Sequence, residues 1–407
     1  MNLLRSTKII VTNKNLEHKP PILAIFPQLP LPEFAGDRQK VNNLIKVLSK
    51  HYTINAVVIC RESYTTNDEN FLSQYCHQYK IFKLSKIGIL YNCLKGFLKG
   101  ESLQLNFFYQ PKIDKYINQN TSNKHFVFYN LIRTAKYAQH YKGNKVMDMV
   151  DLISLSYQRS LQKVHSPFWK YIYKYENKHL AQAEEKVMNT FKDVFLVNKN
   201  EQELLSQKHS NIFWLPNGIK ENLFTNYSNK ITEPNAIVFI GKMDYPPNVD
   251  AVIWFVKNVF QHLNSAIKFY IVGARPSKKV TALSNNRVIV TGYVSDPYVL
   301  MSNCALVVSP MQTGGGIQNK ILEGMALGKI NVATSLGASS IHLANNNEHL
   351  LVEDNPLKMA QLINSIVSNP VAFNHIANNG KKLVSDIYTW QNFGEILNKN
   401  IELSIHK

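Results

Sequence analysis

Runs of apolar residues alternate with helical patterns along the whole chain, and this alternation constrains the fold more than any other feature. In the first half, the apolar run INAVVIC at residues 54–60 follows an amphipathic segment at residues 39–51. In the second half, AIVFIG, KFYIVG, RVIVTG, CALVVSP and KINVAT repeat the alternation. Strands that alternate with helices form parallel sheets whose faces the helices cover. The sequence therefore predicts an α/β fold.

Two domains are expected because 407 residues exceed what one hydrophobic core usually organises. The polar segment NYSNKITEPN at residues 226–235 lacks apolar periodicity and contains several turn residues, which is typical of a linker. We therefore expect one domain in residues 1–225 and a second in residues 226–389. In open parallel sheets, ligands bind beyond the carboxyl ends of the strands, so the loops there are the first place to look for a site.

Cysteine usage and hydropathy indicate a protein of a reducing compartment. The four cysteines stand far apart, without a C-x-x-C pair or a histidine at zinc-ligand spacing, so neither a disulfide framework nor a structural metal is predicted. The first residues lack the apolar core of a signal peptide, and no apolar run approaches the length of a membrane span. We therefore expect a cytoplasmic protein, either soluble or peripheral to the membrane.

The formal net charge of +18 calls for an acidic partner, which could be nucleic acid, an anionic membrane surface or a phosphorylated substrate. Residues 1–217 hold 30 Lys and Arg against 16 Asp and Glu, whereas residues 218–407 hold 16 against 12. The positive charge thus belongs mainly to the N-terminal half. A general lysine bias in composition would give the same excess.

The segment KIFKLSKIGILYNCLKGFLK at residues 80–99 combines an apolar stripe with several lysines. This composition is typical of a helix that lies in a membrane interface, where each basic residue near anionic lipid adds about 1 kcal/mol. A core helix whose outer face is solvated by lysines would have the same composition. The residues concerned are Ile87, Leu90, Tyr91, Leu94, Phe97 and Leu98, with Lys80, Lys83, Lys86, Lys95 and Lys99.

The strongest local signal is CALVVSPMQTGGGIQNKILEGMALGK, in which a buried strand leads through a glycine triplet into a helix. Glycines let a ligand approach the backbone, and a helix N-terminus presents unpaired N–H groups, so the loop is a natural cradle for a diphosphate. Glu323, one turn further on, could reach ribose hydroxyls. A tight turn without a ligand would use the same residues. The loop comprises Gly314, Gly315, Gly316, Ile317, Gln318 and Asn319.

Phosphate-loop ATPases and NAD enzymes also bind phosphate at a glycine-rich loop, but the sequence lacks the motif of each class. The sequence lacks G-x-x-x-x-G-K-[ST], and the loop after the first strand of the first domain lacks G-x-G-x-x-G.

The segments GKMDYPPNVDAVIWFVKNVF, YIVGARPSKKVTAL, VIVTGYVSDPY and GGGIQNKILEGMALGKINVAT resemble, in order and spacing, glycosyltransferase family 4. They are most similar to the branch of bacterial exopolysaccharide and lipopolysaccharide sugar transferases, and the likeness extends from about residue 26 to 390. It implies a GT-B fold, in which two Rossmann-like parallel-sheet domains face each other across a cleft. It also implies a C-terminal helix, residues 390–407, that begins near Tyr388 and Trp390 and completes the first domain.

The resemblance assigns a nucleotide-sugar donor to the second domain. Lys242 occupies the place of the basic residue that holds the donor diphosphate, but Asn248 stands where the family has a second lysine. In the family's E-x7-E pair, Glu323 matches the second glutamate and Gly315 replaces the first. Backbone amides of the glycine loop could bind phosphate in its place. The base would be read largely by backbone near Tyr293 and Val294.

The resemblance assigns the acceptor to the first domain. The histidines of many relatives are absent, and Arg133 and Asp151 follow the fourth and fifth strands in their place. Asp148-x-x-Asp151 is not the D-x-D of metal-dependent transferases, and one of the two could cap the next segment. Gly36 and Asp37, followed by Arg38, hold the place of the family's N-terminal glycine loop, although a simple turn would use the same residues.

The function implied is a glycosyltransferase that moves a sugar from a UDP- or GDP-linked donor to a cell-surface polysaccharide or lipid-linked acceptor. The resemblance implies that transfer retains the configuration of the sugar and needs no metal. No cofactor is expected either, since the nucleotide sugar is itself a substrate. The protein would contact the inner face of the cytoplasmic membrane. A nucleotide-sugar epimerase or hydrolase of the same fold is the alternative, and a basic nucleic-acid-binding protein is a more distant one, since no nucleic-acid module is present.

Overall fold

The structure, a computed structural model, describes residues 10–11, 19–32, 36–121, 126–161, 164, 166–227, 231–314 and 316–406. The chain forms two compact units. Unit 1 comprises Met1–Leu215 together with Phe393–Lys407, and unit 2 comprises Pro216–Asn392. Each unit contains a parallel sheet with helices packed on it, so the prediction of two parallel-sheet α/β domains is confirmed.

The sheet of unit 1 has the strand order β1-β4-β3-β2-β5-β6-β7-β8. Every pairing between its described strands is parallel except that of β1 with β4, which is antiparallel. The strands are rich in apolar residues because helices cover both faces of a parallel sheet. They are β1 (Ile10–Val11), β2 (Pro21–Phe26), β3 (Thr53–Cys60), β4 (Gln78–Lys83), β5 (Phe126–Asn130), β6 (Lys145–Val150), β7 (Asp193–Leu196) and β8 (Ile212–Trp214).

Helices fill the connections between these strands. Their buried side chains, such as Ile113, Leu180 and Val187, join one apolar core with the strand residues. A 3-10 helix, Ile132–Ala138, follows β5. The α-helices are α1 (Gly36–His51), α2 (Thr66–Tyr75), α3 (Lys86–Leu98), α4 (Leu103–Phe108), α5 (Pro111–Gln119), α6 (Ile153–Leu161), α7 (Pro167–Thr190) and α8 (Lys199–Ser206).

Unit 2 contains a six-stranded sheet in the order β11-β10-β9-β12-β13-β14, and its described pairings are parallel. Its strands are β9 (Glu233–Ile240), β10 (Lys268–Val272), β11 (Val288–Gly292), β12 (Cys304–Ser309), β13 (Ile330–Ala333) and β14 (Leu351–Val352). Its α-helices are α9 (Asn222–Thr225), α10 (Pro246–Asn258), α11 (Lys278–Thr281), α12 (Pro297–Asn303), α13 (Asn319–Ala326), α14 (Ser335–Ala338), α15 (Pro356–Ser368) and α16 (Asn374–Ile387). Two 3-10 helices, Phe260–His262 and Pro370–Phe373, complete the unit.

The last helix, α17 (Trp390–His406), begins in unit 2, and its residues from Phe393 onward belong to unit 1. Phe393, Leu397 and Ile401 are fully buried. The ammonium of Lys40 lies 5.6 Å from the centre of the Phe393 ring, and the Tyr52 hydroxyl donates to Asn398 Oδ1 at 2.8 Å. The apolar stripe of α17 therefore forms part of the core of unit 1.

Three local predictions differ from the structure. β1 was not expected, because two residues carry no periodic signal. The predicted linker at 226–235 is too long, since β9 begins at Glu233. The units divide between Leu215 and Pro216, and not after residue 225, because the backbone N–H of Ile219 donates to Tyr388 O at 2.8 Å and Lys381 Nζ donates to Phe224 O at 3.1 Å.

The predicted interfacial segment at residues 80–99 is not one helix in the structure, because its first residues belong to a strand. Lys80 and Lys83 belong to strand β4, and α3 begins only at Lys86, with Ser85 as its N-cap. Lys80 is buried, because its ammonium lies over the Tyr116 ring at 4.7 Å. Only Lys86, Lys95 and Lys99 thus flank the apolar stripe of α3.

Candidate functional site

In unit 2, the carboxyl ends of β9, β11 and β12 lie at one edge of the sheet, because the three strands are parallel members of it. Lys242 lies in the loop after β9, and Tyr293 and Val294 lie in the loop after β11. The segment 310–318 follows β12 and leads into α13. The sequence-predicted donor residues of this unit thus occupy loops at the sheet edge where ligands of such folds bind.

The loop before α13 has the backbone that a close approach to a ligand requires. Gly314 and Gly316 have φ angles of 102° and 79°, which residues with a Cβ rarely adopt. A Cβ at Gly314 would also lie 3.3 Å from Pro247. Ile317, Gln318 and Asn319 are partly buried, and Gly315 lies outside the described residues. The loop opens on the N-terminus of α13, where unpaired amides favour an anion.

Lys320, the second residue of α13, was missed by the sequence interpretation. Its ammonium is buried and donates to Gln318 Oε1 at 2.9 Å and to Asn248 Oδ1 at 3.3 Å. Asn248 in turn donates from Nδ2 to the Lys242 carbonyl oxygen at 3.0 Å. Asn248 therefore connects the loop after β9 with the start of α13.

Lys242 and Tyr293 have side chains that reach solvent. The Lys242 side chain is exposed, and Tyr293 is 61% exposed. An exposed ammonium next to the N-terminus of α10 adds positive charge to this edge of the sheet. A ligand can contact exposed aromatic and basic groups of this kind without disturbing the core.

Glu323 lies one turn beyond Lys320 on α13 and is partly buried. The Tyr298 hydroxyl donates to its Oε1 at 3.0 Å. Burial raises the pKa of the Glu323 carboxyl, and the Tyr298 hydrogen bond and the charges of Lys320 and Lys220 act against that rise. Its carboxylate is thus held by one hydroxyl and retains acceptor capacity for others.

In unit 1, a strained residue lies at the point where each of the strands β5 and β6 passes into the loop that follows it. Leu131 and Val150 have φ angles of 61° and 73°, an unfavourable region for a bulky residue and especially for a β-branched one. Arg133 stands two positions after Leu131, and Asp151 follows Val150 directly. The Arg133 guanidinium lies 5.2 Å from the centre of the Phe108 ring. Strain of this kind often accompanies a functional arrangement of the next side chains.

The two aspartates of the DMVD segment have different surroundings. Asp148 is fully buried and accepts from Lys40 Nζ at 3.1 Å and Asn130 Nδ2 at 3.2 Å. Burial raises the pKa of Asp151, the Lys40 charge lowers it, and the Asp148 charge raises it. Asp148 is therefore part of an internal ion pair, whereas the Asp151 carboxyl favours its protonated form more than an ordinary aspartate does.

The amides at the start of α6 are bound by glutamates and not by these aspartates. Glu201 Oε2 accepts from the Leu152 N–H at 3.2 Å, and Glu184 accepts from the Ser154 N–H at 3.0 Å. Burial raises the pKa of Glu184 to about 7. The expectation that Asp148 or Asp151 could cap the following segment is therefore wrong, because two more distant carboxylates already do so.

A cavity of about 460 Å³ lies within unit 1, near the carboxyl ends of β2, β3 and β5. Arg38 lines it and donates from Nη2 to Glu62 Oε2 at 2.6 Å. Gly36 and Asp37 form the first turn of α1 just before Arg38, but their side chains lie outside the described part of the chain. The lining combines charged side chains of both signs with apolar and aromatic groups, among them Arg38, Arg61, Arg133, Glu62, Glu176, Phe107, Phe108 and Tyr157.

Neither a cluster of metal ligands nor a membrane-spanning helix is found in the described residues. In that part of the chain, no group of three or more His, Cys, Asp or Glu side chains is placed to hold a metal ion. Nor does any helix there combine the length and apolar character that crossing a bilayer requires.

Known proteins resemble this chain in both sequence and fold. Residues 234–369 match the family model described as Glycosyl transferases group 1. Over 384 residues the chain is 21% identical to an uncharacterized 44.6 kDa protein in the cps region of Klebsiella pneumoniae, covering 90% of this chain and 96% of the relative.

Two solved structures with similar folds are informative. Alr3699/HepE of Anabaena, solved in complex with UDP and glucose, has a TM-score of 0.67 at 15% identity, covering 94% of this chain and 99% of that one. WaaG, a glycosyltransferase involved in lipopolysaccharide biosynthesis, has a TM-score of 0.64 at 12% identity, covering 92% and 98%. The two parallel-sheet units thus define a GT-B fold. Residues 234–369, about a third of the chain, are similar to the glycosyl transferases of group 1, and with this segment the protein is a glycosyltransferase.

Proposed function

We propose that this enzyme transfers a sugar from a UDP- or GDP-linked donor, bound by unit 2, to a cell-surface polysaccharide or lipid-linked acceptor, bound by unit 1. The observation that carries the proposal is the glycine loop before α13, with a buried ammonium beside it and Glu323 one turn further on. A nucleoside diphosphate matches this set, because the loop and cations suit phosphate and the carboxylate suits ribose hydroxyls. The complex of HepE with UDP and glucose supports a uridine donor.

Most of the predicted donor residues of unit 2 have a specific role in this proposal. The amides of Gly314, Gly316 and Ile317 bind the diphosphate, together with Lys242. Glu323 accepts from the ribose hydroxyls, and the backbone near Tyr293 and Val294 contacts the base.

On unit 1, we assign the acceptor to the cavity lined by Arg133. Asp151, whose pKa burial raises, is proposed to face the transferred sugar as a hydrogen-bond donor or proton carrier. Gly36 and Asp37 are proposed to contact the donor phosphate or the acceptor. A polysaccharide or lipid-linked acceptor agrees with the cps-region relative and with the role of WaaG in lipopolysaccharide biosynthesis. Transfer is proposed to retain configuration and to proceed without a metal.

We expect UDP, GDP or one of their sugars to stabilise the protein against heat. A ligand at one hundred times its Kd adds about 2.7 kcal/mol to the free energy of unfolding, which a thermal-shift screen detects readily. Incubation of the stabilising nucleotide sugar with membrane lipid extract and EDTA should then give a glycosylated lipid of retained configuration.

The variant Lys242→Ala should bind the same nucleotide more weakly and unfold at the same temperature as the wild type without ligand. If no UDP or GDP compound stabilises the wild type, the donor assignment is wrong. If the nucleotide sugar is consumed equally with and without lipid extract, the enzyme is an epimerase or hydrolase of this fold.

Helix α3 presents its apolar side chains outward. Ile87, Leu90 and Leu98 are 83%, 73% and 78% exposed. Its inner face instead contains Asn92 and Gly96, and a Cβ at Gly96 would lie only 2.1 Å from Asn106 Nδ2. A core helix would bury the apolar stripe, so this alternative from the sequence does not fit.

We propose that α3 docks on an anionic membrane. Lys86, Lys95 and Lys99 are exposed around its apolar stripe. The net positive charge of the N-terminal half matches the sign that anionic lipid attracts. The acceptor-binding unit would then lie at the inner face of the cytoplasmic membrane, close to a lipid-linked acceptor.

Replacing Lys86, Lys95 and Lys99 together with Glu should release the protein from liposomes containing phosphatidylglycerol. Each lysine contributes about 1 kcal/mol near anionic lipid, so reversal of three charges removes most of the electrostatic attraction. Cosedimentation at low salt measures the effect, and nucleotide binding should not change.

The matched control replaces three exposed lysines of unit 2, Lys257, Lys278 and Lys279, with Glu, which changes the net charge equally. This control should still sediment with the liposomes. Equal release of both triple variants would mean that only net charge matters, and a wild type that never sediments would rule out membrane docking.

A further inference from the structure

The ammonium of Lys320 is a buried positive charge whose contacts are all neutral. Besides Gln318 and Asn248, it approaches Met311 Sδ at 3.6 Å and lies 5.0 Å from the centre of the Phe239 ring. Among the described residues it forms no ion pair with a carboxylate. Burying a charge without an opposite charge is costly, and the usual outcome is a shifted pKa.

The pKa of Lys320 reflects this environment. Burial lowers it to about 8, and the charge of Glu323, on the same helix, acts in the opposite direction. The groups that face the ammonium from β9, α10 and the loop after β12 are uncharged. Near neutral pH the site is therefore a cation that an anionic ligand would stabilise.

The position of this cation matches the predicted diphosphate site. Met311 and Gln318 stand at the two ends of the glycine loop, and Asn248 binds the Lys242 carbonyl oxygen. The resemblance to family 4 places a second lysine at position 248, where this chain has Asn248. The Lys320 ammonium lies 3.3 Å from that asparagine side chain, so it occupies the neighbourhood that a lysine at 248 would reach.

We propose that Lys320 supplies the second cation for the donor diphosphate, from α13, in place of the lysine missing at position 248. This inference rests on the proposed function. A purely structural role, in which Lys320 joins Gln318 to Asn248, needs only a neutral hydrogen-bond donor and gives no reason to bury a charge. An anionic ligand provides that reason, and a charge-assisted contact is stronger than a neutral one.

The test measures UDP and UMP binding by titration calorimetry, with GDP and GMP in parallel. Lys320→Met, which removes the ammonium and keeps an unbranched side chain only one atom shorter, should weaken diphosphate binding about 10- to 100-fold and monophosphate binding much less. The double variant Lys320→Gln with Asn248→Lys should recover a large part of the loss, because it returns a cation to the same neighbourhood.

The matched control is Lys329→Met. Lys329 is also buried in unit 2, burial also lowers its pKa to about 8, and its ammonium donates to Cys304 O at the start of β12. Its loss should change thermal stability but not diphosphate affinity.

A pH series provides a readout that does not need Lys320→Met to fold. Bound diphosphate should raise the pKa of Lys320 above about 8, so wild-type binding near pH 8 takes up protons, and affinity falls as the pH rises from 7 to 9. The fall should remain in Lys329→Met, as in the wild type.

The outcomes separate the two proposals. A wild type that binds neither UDP nor GDP contradicts the proposed function. A wild type that binds diphosphate while folded Lys320→Met binds it equally well overturns the inference. Equal losses for diphosphate and monophosphate, without recovery in the double variant, also overturn it in favour of a structural role.

Discussion

Replacement of Lys40 by methionine is expected to lower the free energy of unfolding of unit 1 by about 3 to 5 kcal/mol at pH 7.5. Lys40 and Asp148 form a buried ion pair with side-chain exposures of 8% and 0%. Removal of the ammonium leaves a carboxylate that water cannot reach. Urea unfolding followed by hydrogen exchange in unit 1 peptides measures this loss separately from unit 2.

The pH dependence of the loss identifies its cause. Burial already raises the pKa of Asp148, and the loss of Lys40 raises it further. A raised pKa in the folded state means that the deficit grows as the pH rises above the usual aspartate value of about 3.9. The unpaired Asp148 can take up a proton, and the cost of this protonation sets an upper limit on the loss of stability. The limit is about 5 kcal/mol at pH 7.5 and about 1.5 kcal/mol at pH 5.0.

Two further variants complete this experiment. Asp148→Asn in the Lys40→Met background should restore part of the stability, because it removes the unpaired charge. Lys399→Met, at an exposed position of α17, should change the free energy of unfolding by less than about 0.5 kcal/mol. A deficit in Lys40→Met that is equally large at pH 5.0 would point to lost packing on Phe393 and not to the ion pair.

Replacement of Glu323 by glutamine is expected to weaken nucleoside diphosphate binding, and sugar transfer with it, by about 100-fold. Glutamine has nearly the same shape but replaces a charged acceptor with a neutral amide. Charge-assisted hydrogen bonds to the ribose hydroxyls are each worth about 1.5 to 3 kcal/mol, and about 2.7 kcal/mol corresponds to this factor. Calorimetric titration with the nucleotide that stabilises the wild type measures the effect.

Tyr298→Phe and Asp386→Asn are the controls for this second experiment. Tyr298→Phe removes the hydroxyl that holds Glu323 and should cost only a few-fold in affinity, because the carboxylate remains. Asp386→Asn makes the same carboxylate-to-amide change at an exposed position of α16 and should bind like the wild type. If Glu323→Gln binds the nucleotide with wild-type affinity, Glu323 does not contact the nucleotide.

The sequence predicts the strands and long helices well because their apolar residues recur at regular spacing. The amphipathic segment predicted at residues 39–51 ends where α1 ends, at His51, and β3 begins one residue before the predicted start. The ends of unit 1 and unit 2 were harder to predict. They depend on pairings such as that of Ile219 with Tyr388, which join residues far apart in the chain.

The site was predictable where backbone and motif carry the signal. The positive φ angles of Gly314 and Gly316 follow from a glycine triplet between a strand and a helix. Lys320 was not predictable in this way, because a lysine in the first turn of a helix is usually solvated. Its burial depends on Phe239 and Asn248, which other elements bring to it. The outward apolar face of α3 likewise depends on the close approach of α4 at Gly96.

The division of unit 1 into two chain segments also determines the order in which the units can mature during synthesis. Unit 2 has all of its residues once Asn392 has left the ribosome, whereas unit 1 still lacks the part of α17 from Phe393 onward. Until then, the surface that Phe393, Leu397 and Ile401 bury remains open, and Asp193 lacks the hydroxyl of Ser404 as a donor. The unit that is translated first is therefore the last to close, and the nascent chain exposes an apolar groove until its final helix emerges.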